Sequence, residues 1–384
     1  MSTAFDVRAL ASHVRIELDD SLSTAEQESI KAHWADLAHD GGGEPDRVLR
    51  AGVRDDADPV DGTHTVSANS AEALAQRITS QVTLAAIGGL RGEALMFHAA
   101  AVALDDGRVI GFVGPSGRGK TTAAQELGRA YGYVTDETLA VRADGSVVAY
   151  PKPLSIGSRA VVKATEPAST FGLRGRPRAG LHLAALVLLD RRPDIAEPFV
   201  ESVPIIEALS ELVPQSSYLS ALDRPLRTLI GMIRSTGGVR RIVYSEASTL
   251  PSLVDGLLET IDETAPVVID VAHLSQRDCD CSGKVLETDT QREARIDRPG
   301  AYWRGAYVDA MLVDDSLIVL VSGRLTVLAG VGPALWLAAD GLTEEELRDA
   351  AQRELPPPPG EVVVDDVISD ALRSLEDARL LVQT

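Results

Sequence analysis

Runs of apolar and alternating residues predict a series of short strands and helices in the middle of this chain. Residues 94–104 and 108–113 are apolar on either side of an Asp-Asp-Gly turn, which predicts a β-hairpin. Apolar residues recur at helical spacing over 70–91, and a second hairpin is predicted over 141–150. Residues 183–189 (LAALVLL) are continuously apolar, as in a strand that is buried on both faces. This mixture predicts an α/β fold.

The rest of the chain falls into regions of different character. A helix is predicted over 23–38, and helical patterns occupy much of 203–262. Near the C-terminus three apolar strands precede further helices, and Thr343 followed by Glu346 has the pattern of a capping box. We therefore expect a small N-terminal accessory region (1–68), a catalytic domain (69–264), a charged linker (265–299) and a C-terminal domain (300–384).

Composition narrows the classes of partner. The chain has 384 residues, of which 45% are hydrophobic, so it can form sizeable cores. Its formal net charge is −20, and only 4% of its residues are aromatic, so we expect neither a nucleic-acid partner nor a membrane partner. The N-terminus lacks a basic start followed by an apolar run. We therefore expect no signal peptide and a cytoplasmic location.

A glycine-rich loop follows the second strand of the first hairpin. Residues 114–122 (GPSGRGKTT) match G-x-x-x-x-G-K-[ST], with strand, loop and helix in the order that a P-loop needs. In such a loop the backbone N–H groups point at phosphate oxygens, Lys120 reaches the outer phosphates and Thr121 holds Mg²⁺. The predicted nucleotide-binding residues are Gly114, Pro115, Ser116, Gly117, Arg118, Gly119, Lys120, Thr121 and Thr122.

Two acids and a histidine are the further candidates for chemistry. Asp136 and Glu137 lie at the end of a predicted short strand, residues 133–136, which could lie beside the P-loop strand. One carboxylate would then hold Mg²⁺ and the other would orient or deprotonate an acceptor; the alternative is a solvated acidic turn. His98 lies in the middle of an apolar strand, where a lone histidine is usually a core residue.

Residues 97–141 (FHAAAVALDDGRVIGFVGPSGRGKTTAAQELGRAYGYVTDETLAV) resemble the catalytic core of HPr kinase/phosphorylase and its relatives. In that family a strand bearing a histidine precedes the P-loop strand, and two acids follow the P-loop helix. The resemblance implies an HPr kinase/phosphoenolpyruvate carboxykinase-like P-loop core that uses ATP and Mg²⁺ to phosphorylate a serine hydroxyl. HPr kinases form hexamers, so a homo-oligomer is a candidate assembly.

The resemblance also implies roles for individual residues. His98 would support the acidic pair, Lys120 would bind phosphate, and Thr121 would bind the metal. Asp136 and Glu137 would supply the general base and a further metal contact, with Asp136 as the candidate metal ligand. The second acid is Glu137 where the family has Asp, so the division of work between the two acids stays open.

The segment that follows, residues 150–155 (YPKPLS), is similar to one in the peptide kinases of lasso-peptide pathways. Lys152 or Arg159 could face phosphates there, and a plain turn explains the segment equally well. The substrate-loop signature of HPr kinase is not recognisable downstream, so HPr is not the expected substrate. The resemblance implies instead a ribosomally made precursor peptide.

The C-terminal region, residues 300–384, resembles PqqD-like domains, which have an α+β, winged-helix-like fold. Three short strands, a helix opened by GVGPALW and a helix opened by TEEEL carry this resemblance. Such domains bind the leader of a precursor peptide by adding it as a strand to the small sheet. A DNA-binding winged helix is the alternative, but the many local acids would repel phosphate.

Two cysteines, Cys279 and Cys281, lie in the predicted linker. Together with His273 they do not make the spacing of a tetrahedral zinc site, so we interpret them as ordinary linker residues. The leading hypothesis is therefore a peptide serine/threonine kinase. The alternatives are an enzyme that phosphorylates its peptide only to activate it for elimination or cyclisation, and a nucleotide-gated ATPase or chaperone that binds its partner without modifying it.

Overall fold

The computed structural model of the protein describes residues 3–54, 65–156, 164–258, 268–271, 298–354 and 364–384. Arg159, His273, Cys279 and Cys281 lie outside these residues, so the interpretations that concern them stay predictions. None of the described helices is long and apolar enough to cross a membrane.

The chain divides into two compact units. One consists of Met1–Pro204, Gln215–Ser217 and Met232–Ile261, and the other of Ile205–Pro214, Tyr218–Gly231 and Asp262–Thr384. Most of residues 205–231, which the sequence analysis assigned to the catalytic domain, therefore belongs to the second unit.

The first unit begins with a sheet of four strands, β1 (Thr3–Ala9), β2 (Ser12–Leu18), β3 (Arg47–Val53) and β4 (Thr65–Ala68). The strands lie in chain order; β1 and β2 are antiparallel, and the other pairs are parallel. Helix α1 (Thr24–Ala32) follows β2 and starts with a capping box between Ser23 and Glu26. Helix α2 (Ala71–Gly89), capped by Ser70, shares one hydrophobic core with this sheet.

The remaining strands of the first unit are, in chain order, β5 (Ala94–Ala103), β6 (Arg108–Val113), β7 (Gly132–Thr135), β8 (Thr138–Arg142), β9 (Val147–Val148), β10 (Leu154–Ile156), β11 (Ala164–Glu166), β12 (His182–Arg191), β13 (Phe199–Val203), β14 (Ser216–Ser217) and β15 (Val239–Tyr244). All except β10 and β11, which pair with each other, form a 9-stranded sheet. Its order is β13-β15-β12-β6-β5-β8-β9, and β7 and β14 also pair with β5.

The central strands of this sheet confirm the predicted α/β core. Strands β5 and β6 form the predicted hairpin, and β8 and β9 form the second one. Strand β12 lies between β6 and β15 and is parallel to both, and its residues Ala185, Leu186 and Val187 are fully buried. Burial on both faces explains why this segment is continuously apolar.

The helices over 203–262 are α4 (Ile205–Leu212), α5 (Pro225–Ser235) and α6 (Val254–Leu257); the P-loop helix α3 (Lys120–Ala130) precedes them. The prediction that this range is mostly helical was wrong at β15 (VRRIVY). Gly237 and Gly238 have φ values of +71° and +94°, a left-handed backbone that ends α5, and the branched residues that follow pack between two neighbouring strands.

The second unit contains two further sheets. Their strands are β16 (Val268–Asp270), β17 (Tyr302–Arg304), β18 (Asp309–Val313), β19 (Ser316–Val321), β20 (Arg324–Leu328), β21 (Asp340–Leu342) and β22 (Leu381–Gln383). One sheet has the antiparallel order β16-β18-β19-β20, and the other has the order β21-β17-β22. The three strands predicted near the C-terminus are confirmed as β18, β19 and β20, whereas β16 lies within the range predicted as a linker.

Helices α7 (Gly332–Ala338), α8 (Glu344–Glu354) and α9 (Val364–Asp377) complete the second unit. The predicted capping box at the start of α8 is confirmed, because Thr343 and Glu346 exchange side-chain and backbone hydrogen bonds. The core contains Trp336 and Tyr307, whose rings meet edge to face at 4.9 Å. This α+β unit has a hydrophobic core of its own, formed by residues between Val271 and Leu381.

Candidate phosphate-binding and phosphoryl-transfer site

The glycine-rich loop joins the end of β6 to the start of α3. Gly117 and Gly119 have φ values of +85° and +91°, which side chains on L-residues rarely allow. Gly119 also lies against Tyr244, because a Cβ added there would be 3.1 Å from the tyrosine hydroxyl. The predicted strand–loop–helix order is confirmed. The loop therefore turns tightly, and the N-terminus of α3, the positive end of the helix dipole, lies directly after it.

Lys120 lies at the first position of α3, with only 6% of its surface exposed. Its Nζ donates to the carbonyl oxygens of Gly114 at 2.7 Å and Pro115 at 3.2 Å, so the ammonium is held over the loop. Burial lowers the pKa of Lys120 below its usual value, and the carboxylates of Asp136 and Glu137 oppose this effect. The ammonium therefore lies where an incoming phosphate would meet it.

The other loop residues form an exposed rim, which consists of Pro115, Ser116, Gly117, Arg118 and Thr122. The Arg118 carbonyl accepts a hydrogen bond from the Tyr244 hydroxyl at 3.2 Å, and the Arg118 guanidinium lies 3.7 Å from a carboxylate oxygen of Asp190. These contacts tie the rim to the ends of the neighbouring strands β12 and β15.

Asp136 is the acid that faces the P-loop. Its Oδ2 accepts a hydrogen bond from the Thr121 hydroxyl at 3.2 Å, and its Oδ1 accepts one from the Tyr133 hydroxyl at 3.2 Å. Burial and the nearby Asp136 carboxylate raise the pKa of Tyr133 well above its usual value, so the phenol remains a donor. Asp136 is only 5% exposed, which excludes a solvated acidic turn.

The strand that leads to Asp136 does not lie beside the P-loop strand, so the suggested pairing was wrong. Strand β7 pairs with β5, because the two sides of β6 are already taken by its hairpin partner β5 and by β12. Asp136 nevertheless reaches Thr121, because helix α3, which carries Thr121, packs against both β5 and β7.

His98 belongs to the same cluster as the two acids. It pairs in register with Thr138 on β8, and the backbone N–H of the next residue, Ala99, donates to the Glu137 carbonyl at 2.9 Å. The pKa of His98 is lowered, mainly by burial and then by the Lys120 charge, while Glu137 and Asp136 act in the opposite direction. The imidazole is thus favoured in its neutral form between a cation and two anions.

Lys152 is a functional candidate whose contacts the sequence did not reveal. Its Nζ lies 3.1 Å from Oδ1 of Asp136 and 3.0 Å from Oε2 of Glu137, and it is 4% exposed. Burial disfavours the charge, but the two carboxylates outweigh burial and raise the pKa of Lys152. The structure thus shows two carboxylate partners for Lys152, and the interpretation that Lys152 or Arg159 faces phosphates stays a prediction.

The sequence signal for Lys152 is a lysine between Pro151 and Pro153 in the apolar segment from Tyr150 to Leu154. Where such a segment is buried, its charge must be paired, but the sequence does not show with which residue.

The chemistry of the site fits a magnesium-bound phosphate ester, because a hydroxyl and a carboxylate are the hard oxygen ligands that Mg²⁺ prefers. The candidate ligands are Thr121 and Asp136.

Strand, glycine loop and helix define a P-loop domain on a mixed α/β sheet, with a buried aspartate and a partly exposed glutamate beside the loop. Neither a protein-family model nor a curated protein sequence matches this chain. Among solved structures, the chain is similar to the HPr(Ser) kinase/phosphatase from Coxiella burnetii, with 13% sequence identity and a TM-score of 0.25. The similarity covers 42% of this chain and 93% of that chain. A likeness of this size assigns neither an activity nor a substrate.

Proposed function

We propose that this protein is an ATP- and Mg²⁺-dependent kinase that phosphorylates a Ser or Thr hydroxyl of a ribosomally made precursor peptide. The observation that carries the proposal is the contact of Thr121 with Asp136, which joins the P-loop to a carboxylate pair. A loop that only binds nucleotide needs the phosphate cradle, whereas transfer to a hydroxyl also needs a group that takes the hydroxyl proton.

The chain offers groups that could bind the phosphates and the metal ion of a magnesium-bound triphosphate. The backbone N–H groups of the loop and the start of α3 would hold phosphate oxygens, and Lys120 would neutralise charge on the outer phosphates. Thr121 and Asp136 would hold Mg²⁺, which supplies charge neutralisation at the transferred group. Asp136 suits this role because it is buried, and its Oδ2 already faces the Thr121 hydroxyl.

Glu137 is the proposed proton acceptor. Its side chain is 35% exposed, in contrast to Asp136, so an acceptor hydroxyl from outside can reach it. As the hydroxyl oxygen forms a bond to the γ-phosphorus, its proton passes to Glu137, and the bond between the γ-phosphorus and the β,γ-bridging oxygen breaks. The electron pair of that bond leaves on ADP, so the step balances without a further reactant.

The second unit is proposed to capture the leader of the peptide. Strand β20 is the edge of its sheet and is paired on one side only, with β19, among the described residues. Such an edge offers free N–H and C=O groups to an added strand. Val327 on this strand is 39% exposed, and Val367 on α9 is also 39% exposed, which gives apolar side chains of a leader somewhere to dock.

The test is intact-mass spectrometry of the precursor peptide encoded beside this protein after incubation with the protein, ATP and Mg²⁺. A gain of one phosphate, about 80 Da, that is absent with the Lys120→Ala variant supports the proposal. An unchanged mass with ATP consumed would instead support a nucleotide-gated binding protein. A loss of water would indicate that phosphorylation is a transient activating step.

A further inference from the structure

Lys152 contacts both carboxylates of the candidate site through one ammonium group. Its Nζ is 3.1 Å from Asp136 Oδ1 and 3.0 Å from Glu137 Oε2, so each acid gives one of its two oxygens to the same cation. We infer that Lys152 is a positioning residue that fixes which oxygen of each acid takes part in transfer: Oδ2 of Asp136 and Oε1 of Glu137. This inference rests on the proposed kinase function.

The two carboxylate oxygens of Asp136 have different partners. Oδ1 accepts from the Tyr133 hydroxyl at 3.2 Å and also faces the Lys152 ammonium, which leaves no room there for a third donor or a metal. Oδ2 accepts only from Thr121 among the described residues. Because the carboxylate is 5% exposed, it cannot rotate out to exchange the two oxygens without losing these bonds. Asp136 is thereby held as a cation ligand on the side of the P-loop.

Glu137 is held at one end only. Its Oε2 faces Lys152, and within the described part of the chain its Oε1 has no hydrogen-bond partner. The backbone of Glu137 is fixed on both sides, because its N–H lies 3.2 Å from the Thr135 hydroxyl and its carbonyl accepts from Ala99. The free oxygen therefore has a defined direction, as an acceptor of a proton must have.

Lys152 is itself rigid, which a positioning residue must be. Its Nζ also donates to the Pro153 carbonyl at 3.3 Å, and its backbone N–H donates to the Tyr150 carbonyl at 2.9 Å. Tyr150 in turn is bound to Val134 by a backbone hydrogen bond at 3.0 Å, and its hydroxyl lies 2.9 Å from that of Thr83. The segment is thus fastened both to β7, which leads directly to the two acids, and to helix α2.

The charge balance explains why a cation is needed at this place. Asp136 and Glu137 are adjacent in sequence, so their two negative charges repel each other at close range. The Lys120 ammonium is held by the loop carbonyls of Gly114 and Pro115 and forms no ion pair with either acid among the described residues. Lys152 lies between the acids and leaves Lys120 available to phosphate.

The test compares Lys152→Met, Glu137→Gln and the double variant in the peptide phosphorylation assay. Lys152→Met is expected to lower kcat at least about 100-fold while the Kd for ATP, measured by calorimetry, changes less than about threefold. Because part of the effect of Lys152 passes through Glu137, the loss of kcat in the double variant is expected to be smaller than the product of the two single losses. The double variant loses one positive and one negative charge, so it is expected to be less destabilised than the single Lys152→Met.

Chemical rescue provides a second test, which measures whether an added ammonium ion restores the kcat of a variant that lacks the Lys152 side chain. Ethylammonium added to Lys152→Ala is expected to restore kcat at least about tenfold, and tetramethylammonium at equal ionic strength is expected to restore none, since it has no N–H to donate. Multiplicative losses in the double variant, or equal rescue by both cations, would overturn the inference while the wild type still transfers phosphate. A wild type that transfers none would overturn the proposed function itself.

Discussion

The hydroxyl of Thr121 donates a hydrogen bond to Oδ2 of Asp136 over 3.2 Å, although the two residues lie on different elements of the core. Thr121 belongs to the first turn of α3, and Asp136 follows the last residue of β7. The contact joins the phosphate-binding loop to the two acids, and Lys152 joins the acids to each other.

Removing the P-loop lysine should separate catalysis from peptide capture. Lys120→Ala removes the ammonium that faces the phosphates, so phosphopeptide formation should fall on the order of 100-fold or more. The leader should still bind with an unchanged Kd, measured by fluorescence anisotropy, because the proposed capture strand β20 belongs to the other unit. Loss of both activities together would count against two separable functions.

Asp136 and Glu137 should respond differently to magnesium. Asp136→Asn is expected to raise the Mg²⁺ concentration for half-maximal activity about tenfold or more, because a carboxylate ligand becomes a neutral amide. Glu137→Gln is expected to lower kcat about 100-fold at saturating Mg²⁺ and to leave that half-maximal concentration nearly unchanged. A Mg²⁺ titration of both variants checks this, and equal shifts in both would refute the division of work.

The neutral state of His98 should appear in the pH dependence of stability. Its pKa lies below the ordinary value of 6.5, so below that pH the unfolded chain binds more protons than the folded chain, and stability falls as pH falls. His98→Gln keeps a neutral side chain there and removes the contribution of His98 to the pH dependence of stability. The decrease in Tm between pH 7.5 and pH 5.5, by differential scanning fluorimetry, should therefore be smaller in the variant, on the order of 1–2 °C. An equal decrease in both proteins would show that His98 is not buried in neutral form.

Leader capture should depend on one edge of the C-terminal sheet and not on the other. Val327→Asp places a charge on the exposed face of β20, and the Kd for the leader is expected to rise about tenfold or more. Ile269→Asp is the matched control, because Ile269 is 50% exposed on β16 at the opposite edge of the same sheet. If the control weakens binding as much as Val327→Asp does, the leader does not bind at β20.

Much of the fold could be predicted from local patterns. The hairpin of β5 and β6, the buried strand β12, the cap of α2 at Ser70 and the capping box of α8 depend on residues close together in sequence. Strand β15 could not be predicted in this way, because its apolar residues are as compatible with a helix as with a strand. Its pairing with β12 and β13 decides the matter, and those partners are distant in sequence.

The sequence by itself determined the P-loop, because its glycines, Lys120 and Thr121 act through a backbone turn that nine consecutive residues encode. It also determined that Asp136 and Glu137 follow a short strand. Only the tertiary structure decided that this strand pairs with β5, that Asp136 reaches Thr121, and that Lys152 bridges both acids. The physical reason is that a buried charge must find its partner in space, and the packing of the whole sheet determines which partner is near.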